Sequence, residues 1–185
     1  MKLAEARVID VFVAAQKRRH AVIALMVNDF IAQWKRETMN DAAVLDLGCA
    51  RGEVLMRIQA PGRKCGVDTD EGAIREARKA DPTGIYRAGD AANASLFPEA
   101  SYEVVMLLDL LPLFPVSVAK HVVANARRWL AKDGLLVVCV PKAQYAAPDT
   151  ETYDMLKLEQ VVGLKEGDAH WVPEVPKPWL LAWWR

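Results

Sequence analysis

The stretch Val44-Leu45-Asp46-Leu47-Gly48-Cys49-Ala50-Arg51-Gly52-Glu53 is a short apolar run that breaks at Gly48 into small residues and then turns polar. A strand, a small-residue turn and a helix in that order let backbone N–H groups and a helix N-terminus come close to the polar atoms of a ligand. Many α/β proteins hold nucleotides this way. The run does not complete G-x-G-x-x-G, because Ala50 stands at the middle glycine and Glu53 at the last. Two carboxylates sharpen the pattern. Cys65-Gly66-Val67-Asp68 ends a second run on an acid about 20 residues on, where a ribose diol can be held by a bidentate acceptor. Ala88-Gly89-Asp90-Ala91 ends a third run on another, able to accept from an exocyclic amine. Taken singly, either acid reads as a helix or turn cap. Together with the turn they read as a ligand site.

Other reactive side chains carry weaker signals. Asp109, just past a fourth apolar run, is a weak candidate for a catalytic or acceptor-facing group; a cap or surface role is the plainer reading. His20, His121 and His170 have no mutual spacing for a metal site and read as structural or surface residues, so no metal is expected. Tyr145 reads as a loop residue. The run Lys17-Arg18-Arg19-His20 reads as a solvated helix face. Trp171, Trp179, Trp183 and Trp184 crowd the last fifteen residues and read as strand packing. Cys49, Cys65 and Cys139 are odd in number and form no C-x-x-C pair, which argues against a disulfide scaffold or a cysteine zinc site and for a reducing compartment.

The elements that must position these residues follow from periodicity. Residues 1–40 hold no Gly or Pro, and Ile23, Met26, Val27, Phe30, Ile31 and Trp34 share one helical stripe. Ile9, Phe12 and Val13 form an earlier stripe. One or two helices are expected here, with Gln16 to His20 as a possible joint. From Ala42 the pattern becomes strands at Val44–Leu47, Lys64–Asp68, Ile85–Ala88, Tyr102–Leu107 and Leu135–Val140. Helices are expected at Glu53–Gln59, Asp70–Lys79 (capped by Asp70 or Thr69), Ser117–Leu130 and Glu151–Val162, with Lys132-Asp133-Gly134 as a turn. Two more runs, Leu164–Val172 and Trp179–Arg185, are joined through Pro173, Pro176 and Pro178. Alternating strands and helices predict a parallel sheet with helices on both faces.

Length and charge bound the function. A chain of 185 residues suits one domain, with 1–40 as a helical cap and 41–185 as the remainder. With 24 basic and 24 acidic residues, the chain lacks the broad positive footprint of a protein that binds nucleic acid through phosphates. The apolar run Ala21–Val27 is far shorter than the roughly 20 residues of a membrane span. The N-terminus shows no apolar core followed by a cleavage site, so a cytoplasmic protein is expected.

These motifs resemble those of the class I S-adenosylmethionine-dependent methyltransferases over roughly residues 40–185. The likeness rests on Val-Leu-Asp-Leu-Gly-Cys-Ala-Arg-Gly, the Gly-Val-Asp and Gly-Asp-Ala strand ends and Ser101-Tyr102-Glu103-Val104-Val105-Met106. It continues through Arg128-Trp129-Leu130-Ala131-Lys132-Asp133-Gly134 and Gly163-Leu164. The chain departs from the family's usual residues at Ala50, Glu103 and Asp133. The resemblance implies a Rossmann-like three-layer α/β/α sandwich, with a mostly parallel seven-stranded sheet and an antiparallel last strand. It implies S-adenosylmethionine as cofactor and S-adenosylhomocysteine as product. Gly48, Cys49 and Ala50 would line the methionine portion, with Asp46 shaping the loop. Asp68, with Thr69 beside it, would hold the ribose, Gly89, Asp90 and Ala91 the adenine end, and Leu107 would contribute backbone.

A sulfonium methyl is already electrophilic, so transfer needs mainly positioning and a dry pocket. A base helps only where the nucleophile arrives protonated. The acceptor is expected to be a small molecule in an apolar pocket built from Leu107 to Pro115, a segment with no basic residue nearby; Leu113 stands where several such enzymes carry a histidine. The N-terminal helices are expected to cover the cleft, with packing on the sheet flank as the alternative. Ala50 is expected to take a negative φ that tolerates its methyl group. A catalytically silent cofactor-binding subunit and an aminopropyl-transferring enzyme are the competing readings. No nucleic-acid or membrane partner is expected, and the sequence leaves the oligomeric state open.

Overall fold

A computed structural model describes residues 2–163, 170–171 and 179–184. The chain begins with one unbroken helix, α1 (Lys2–Thr38). No joint interrupts Gln16 to His20, because nothing there removes a backbone donor or demands an unusual φ. Then follow β1 (Val44–Leu47), β2 (Lys64–Asp68), α2 (Glu71–Ala80), β3 (Ile85–Ala88), β4 (Tyr102–Leu108), α3 (Val116–Trp129) and β5 (Leu130–Pro141). The chain continues through α4 (Met155–Val162), β6 (His170–Trp171) and β7 (Trp179–Trp184). The strands form one seven-stranded sheet in the order β3-β2-β1-β4-β5-β7-β6. The first five are parallel, and β7 runs antiparallel to both β5 and β6.

Each strand sends alternate side chains to opposite faces. Leu45, Leu47, Val105 and Leu107 meet α3 and α4 on one face, in a core with Ala119, Val122, Leu158 and Val162. Val44, Val104, Met106 and Val137 meet α1 and α2 on the other, with Ile23, Val27, Ile31, Ile74 and Ala77. The expected stripe of α1 is thus buried on the sheet, although Val13 of the earlier stripe is exposed. Among the described residues no helix is long and apolar enough to cross a membrane.

Three expected elements differ. The helix over 53–59 contracts to a 3-10 turn at Leu55–Arg57. The segment leaving that turn is held from outside by α1: Asn28 Nδ2 donates to the Arg57 carbonyl at 3.3 Å, and the Gln59 amide donates to Asn28 Oδ1 at 2.8 Å. The turn at 132–134 lies inside β5 as an irregularity, where pairing with β4 jumps from Tyr102–Leu130 to Val104–Leu135 and Asp133 takes φ 62°. Helix α4 starts four residues late, at Met155, because Asp154 caps it by accepting from the Lys157 amide at 2.7 Å. Of the last two runs, residues 164–169 and 172–178 lie outside the described residues, as does the side-chain placement of Trp171 and Trp184.

Candidate active site

The small-residue turn after β1 is stitched to the end of β2. The Gly48 and Cys49 amides both donate to the Val67 carbonyl, at 2.8 and 3.0 Å. Gly48 and Gly52 take φ 75°, and a Cβ on Gly48 would stand 2.9 Å from Leu110 Cδ1, so the turn closes tightly only without side chains there. Ala50 takes φ 46°, the left-handed region rather than the negative φ expected. The cause is local: its amide donates to Asp68 Oδ2 at 2.9 Å, while the Asp70 amide donates to Asp68 Oδ1 at 2.9 Å. Asp68 therefore braces the turn and the start of α2 at once. Asp70 alone caps α2, accepting from the Gly72 and Ala73 amides.

A cavity of about 680 Å³ opens beyond the carboxyl ends of β1 to β4. The turn contributes Gly48, Cys49 and Ala50 to its wall, with Asp46 behind them. The end of β2 contributes Asp68 and Thr69, and the end of β3 contributes Gly89, Asp90 and Ala91. Leu107 does not reach it. Leu107 is fully buried against the α3 side of the sheet, and its neighbour Leu108, pointing to the α1 side, lines the cavity instead. Burial, reinforced by the charge of Asp68 and opposed by Arg19, pushes the Asp46 carboxyl up to about 8. That shift favours the protonated acid, and the Asp46 Oδ1 has no hydrogen-bond partner. Burial also raises the Cys49 thiol, with Asp46 and Asp68 adding to it, so Cys49 is no thiolate nucleophile. No group of metal-binding side chains occurs among the described residues.

The opposite wall comes from α1, which supplies Gln16, Arg19 and His20. Lys17 and Arg18 are exposed as a solvated face requires, but Arg19 and His20 turn inward, Arg19 to 3 % exposure. The Arg19 guanidinium forms an ion pair with Asp109. It also lies 4.5 Å from the centre of the Trp179 ring and 3.1 Å from His20 Nε2. His20 Nδ1 stands 3.5 Å from Glu53 Oε2. Burial first and Arg19 second lower the His20 pKa, so its ring is neutral at pH 7. Asp109 itself takes φ 56° and donates its amide to the Cys139 carbonyl at 2.8 Å. Leu108, Leu110, Leu113 and Phe114 complete this end, with Leu113 66 % exposed. The acceptor end is therefore apolar on one side and charged on the other, unlike the mainly apolar pocket expected. Arg19 and His20 were hidden in the sequence by their basic neighbours; their one signal is a helical offset of four and three residues, respectively, from Ile23.

Residues 44–134 match the model of a family described as a methyltransferase domain. No curated protein matches significantly in sequence. Among solved structures the chain is similar to magnesium protoporphyrin IX methyltransferase from Synechocystis with bound S-adenosylhomocysteine. That match has TM-score 0.63 and 15 % identity, over 91 % of this chain and 85 % of that one. It is also similar to an S-adenosylmethionine-dependent methyltransferase from Clostridium acetobutylicum, at TM-score 0.65 and 11 % identity over 86 % and 90 %. A third is a TehB-like methyltransferase from Corynebacterium glutamicum, at TM-score 0.58 and 14 % identity over 86 % and 97 %. At these identities the likeness is one of fold.

Proposed function

We propose, from the match of residues 44–134 to a methyltransferase-domain model, that the chain is a class I S-adenosylmethionine-dependent methyltransferase and that it methylates a small molecule held in the cavity between the sheet and α1. The observation that carries this reading is the placement of Asp68. It braces a tight turn of small residues while facing a cavity whose volume lies inside the range of about 300–1,000 Å³ usual for small ligands. The cavity fits the cofactor: exposed turn backbone suits a methionine moiety, Asp68 a ribose diol, and Asp90 an adenine amine.

When bound, S-adenosylmethionine supplies a methyl group already activated by its sulfonium. The chain's own residues then orient and enclose. Asp68 and Thr69 hold one end; Gly48, Cys49 and Ala50 let backbone approach the other. Helix α1 forms the far wall, opposite Leu108 and Asp109. The single cap of residues 1–40 thus belongs to the same working unit as 41–185. Asp109, paired with Arg19, is the acid on the acceptor side. The lack of a basic residue across 100–118 supports a small-molecule acceptor over a nucleic acid.

Product analysis tests the reading. Purified protein incubated with S-adenosylmethionine and a small-molecule panel should release S-adenosylhomocysteine. Release of methylthioadenosine would show aminopropyl transfer instead, and cofactor binding with neither product would show a silent subunit.

A further inference from the structure

One of the side chains that α3 buries does not belong in an apolar core. Ala119, Val122, Val123, Ala126 and Trp129 are aliphatic or aromatic, whereas Asn125 is a polar amide, 8 % exposed. A buried amide is costly unless its donors are met. Here they are met from outside the helix. Asn125 Nδ2 donates to the Ala91 carbonyl at 3.1 Å and to the Ala92 carbonyl at 3.0 Å. Three residues on, along the same side of α3, the Arg128 guanidinium donates to the Ala94 carbonyl. The helix thus grips the irregular segment that leaves β3, whose carbonyls have no strand or helix of their own to satisfy them.

That segment carries Asp90, an exposed residue in the cavity wall at the end suited to adenine. It is anchored from the sheet as well, since the Gly89 amide donates to the Asp68 carbonyl at 3.0 Å. Asp90 therefore lies between two fixed points. The link to Asn125 runs through a single peptide group. The carbonyl of the Ala91–Ala92 peptide is held by Asn125, and its N–H donates to Asp90 Oδ1 at 2.8 Å. Because a peptide is planar and rigid, fixing its carbonyl fixes its N–H. The Asp90 carboxylate is thereby set in direction, with Oδ2 left for a ligand donor.

We propose that Asn125 is the residue that positions Asp90, and through it sets a preference for an adenine nucleoside over one whose base presents an oxygen at that edge. This rests on the reading of Asp90 as the partner of the adenine amine. A carboxylate only accepts: the amine of adenine donates to it, whereas an oxo group in the same place repels it. That discrimination depends on direction and fades when the carboxylate can turn away into solvent.

Two ligands that differ only at that edge of the base test the inference: S-adenosylhomocysteine and S-inosylhomocysteine, in which an oxo group replaces the amine. Calorimetry on the full chain measures both. The ribose is common to the two, so the ratio of their affinities reads the base alone. The native chain should favour S-adenosylhomocysteine by about tenfold or more, the size of a hydrogen bond to a charged group. Asn125→Leu, close in shape and without donors, should cut that ratio several-fold. Asn125→Gln, which keeps the donors on a longer arm, should recover part of it. Circular dichroism verifies that each variant is folded; if the leucine variant is not, Asn125→Ser takes its place and should show the same fall in smaller measure. A ratio unchanged in a folded variant, an equal weakening of both ligands included, would make Asn125 a packing residue and overturn the proposal while leaving the cofactor site intact. No preference in the native chain would overturn the reading of Asp90 as well, and failure of S-adenosylhomocysteine to bind would overturn the methyltransferase reading itself.

Discussion

The amide of Ala50 and the carboxylate of Asp68 are locked together at 2.9 Å, with Ala50 held at φ 46°. A non-glycine residue in the left-handed region costs about 1–2 kcal/mol. Ala50→Gly should therefore stabilise the protein, by roughly 0.5–1 kcal/mol after the greater freedom of glycine in the unfolded chain is subtracted. Urea denaturation at constant pH measures it. A loss of stability would show that the alanine methyl makes a contact worth more than the strain.

Asp68→Ala removes both the brace and the group placed for the ribose. Cofactor affinity should fall by roughly 1.5–3 kcal/mol, the range for hydrogen bonds to a charged partner. Calorimetry with S-adenosylmethionine and S-adenosylhomocysteine reads the change. Unaltered affinity for both would remove Asp68 from the site.

Asp46 predicts a pH dependence. Its carboxyl is raised from 3.8 to about 8 in the folded chain, so the native state holds a proton that the unfolded state releases. The sign follows from linkage: the associated stability is fully present below about pH 4 and is lost as the pH rises toward 8. Between those limits it contributes a fall of up to about 1.4 kcal/mol per pH unit. Asp46→Asn, which keeps the shape and cannot ionise, should lack that component. Urea midpoints of both proteins at pH 5.5 and 8 should therefore diverge; parallel pH profiles would show that Asp46 is ionised in the native state.

Asn28→Ala should destabilise the fold by about 1 kcal/mol, because it strips two partners from the segment that leaves the Leu55–Arg57 turn. Hydrogen exchange at the Gln59 amide should accelerate more than exchange at the β1 amides. Uniform acceleration across both would mean that α1 and this segment open only with the whole protein.

Much of this arrangement is legible in the sequence because it rests on local rules. β1, β2 and β3 end where their apolar runs end, and each run is followed by the glycine or acid that opens the cavity. Asp70 caps α2 as its chemistry requires. What escaped depends on contacts between distant segments. The helix after the turn is cut short where Asn28, 29 residues before Arg57, takes over the Arg57 carbonyl and the Gln59 amide. Arg19 and His20 look like their exposed neighbours until the pairing with Asp109 and the ring of Trp179 are seen. Leu107 and Leu108 are alike in type, and only the strand's facing, set by the sheet as a whole, decides which one reaches the cavity.

The stacking of Arg19 on Trp179 joins positions 160 residues apart. During synthesis Trp179 follows Arg19 by that distance, so until β7 has been made α1 cannot be clamped at that point. Its buried stripe also faces Val137 and Leu181, which come late. The α1 wall of the cavity is therefore fastened at Trp179 only after β7 is in place. Contacts of such sequence separation slow folding. A chain interrupted before Trp179 would carry the turn and Asp68 but an unfastened α1, with an apolar face open to chaperones or to other chains.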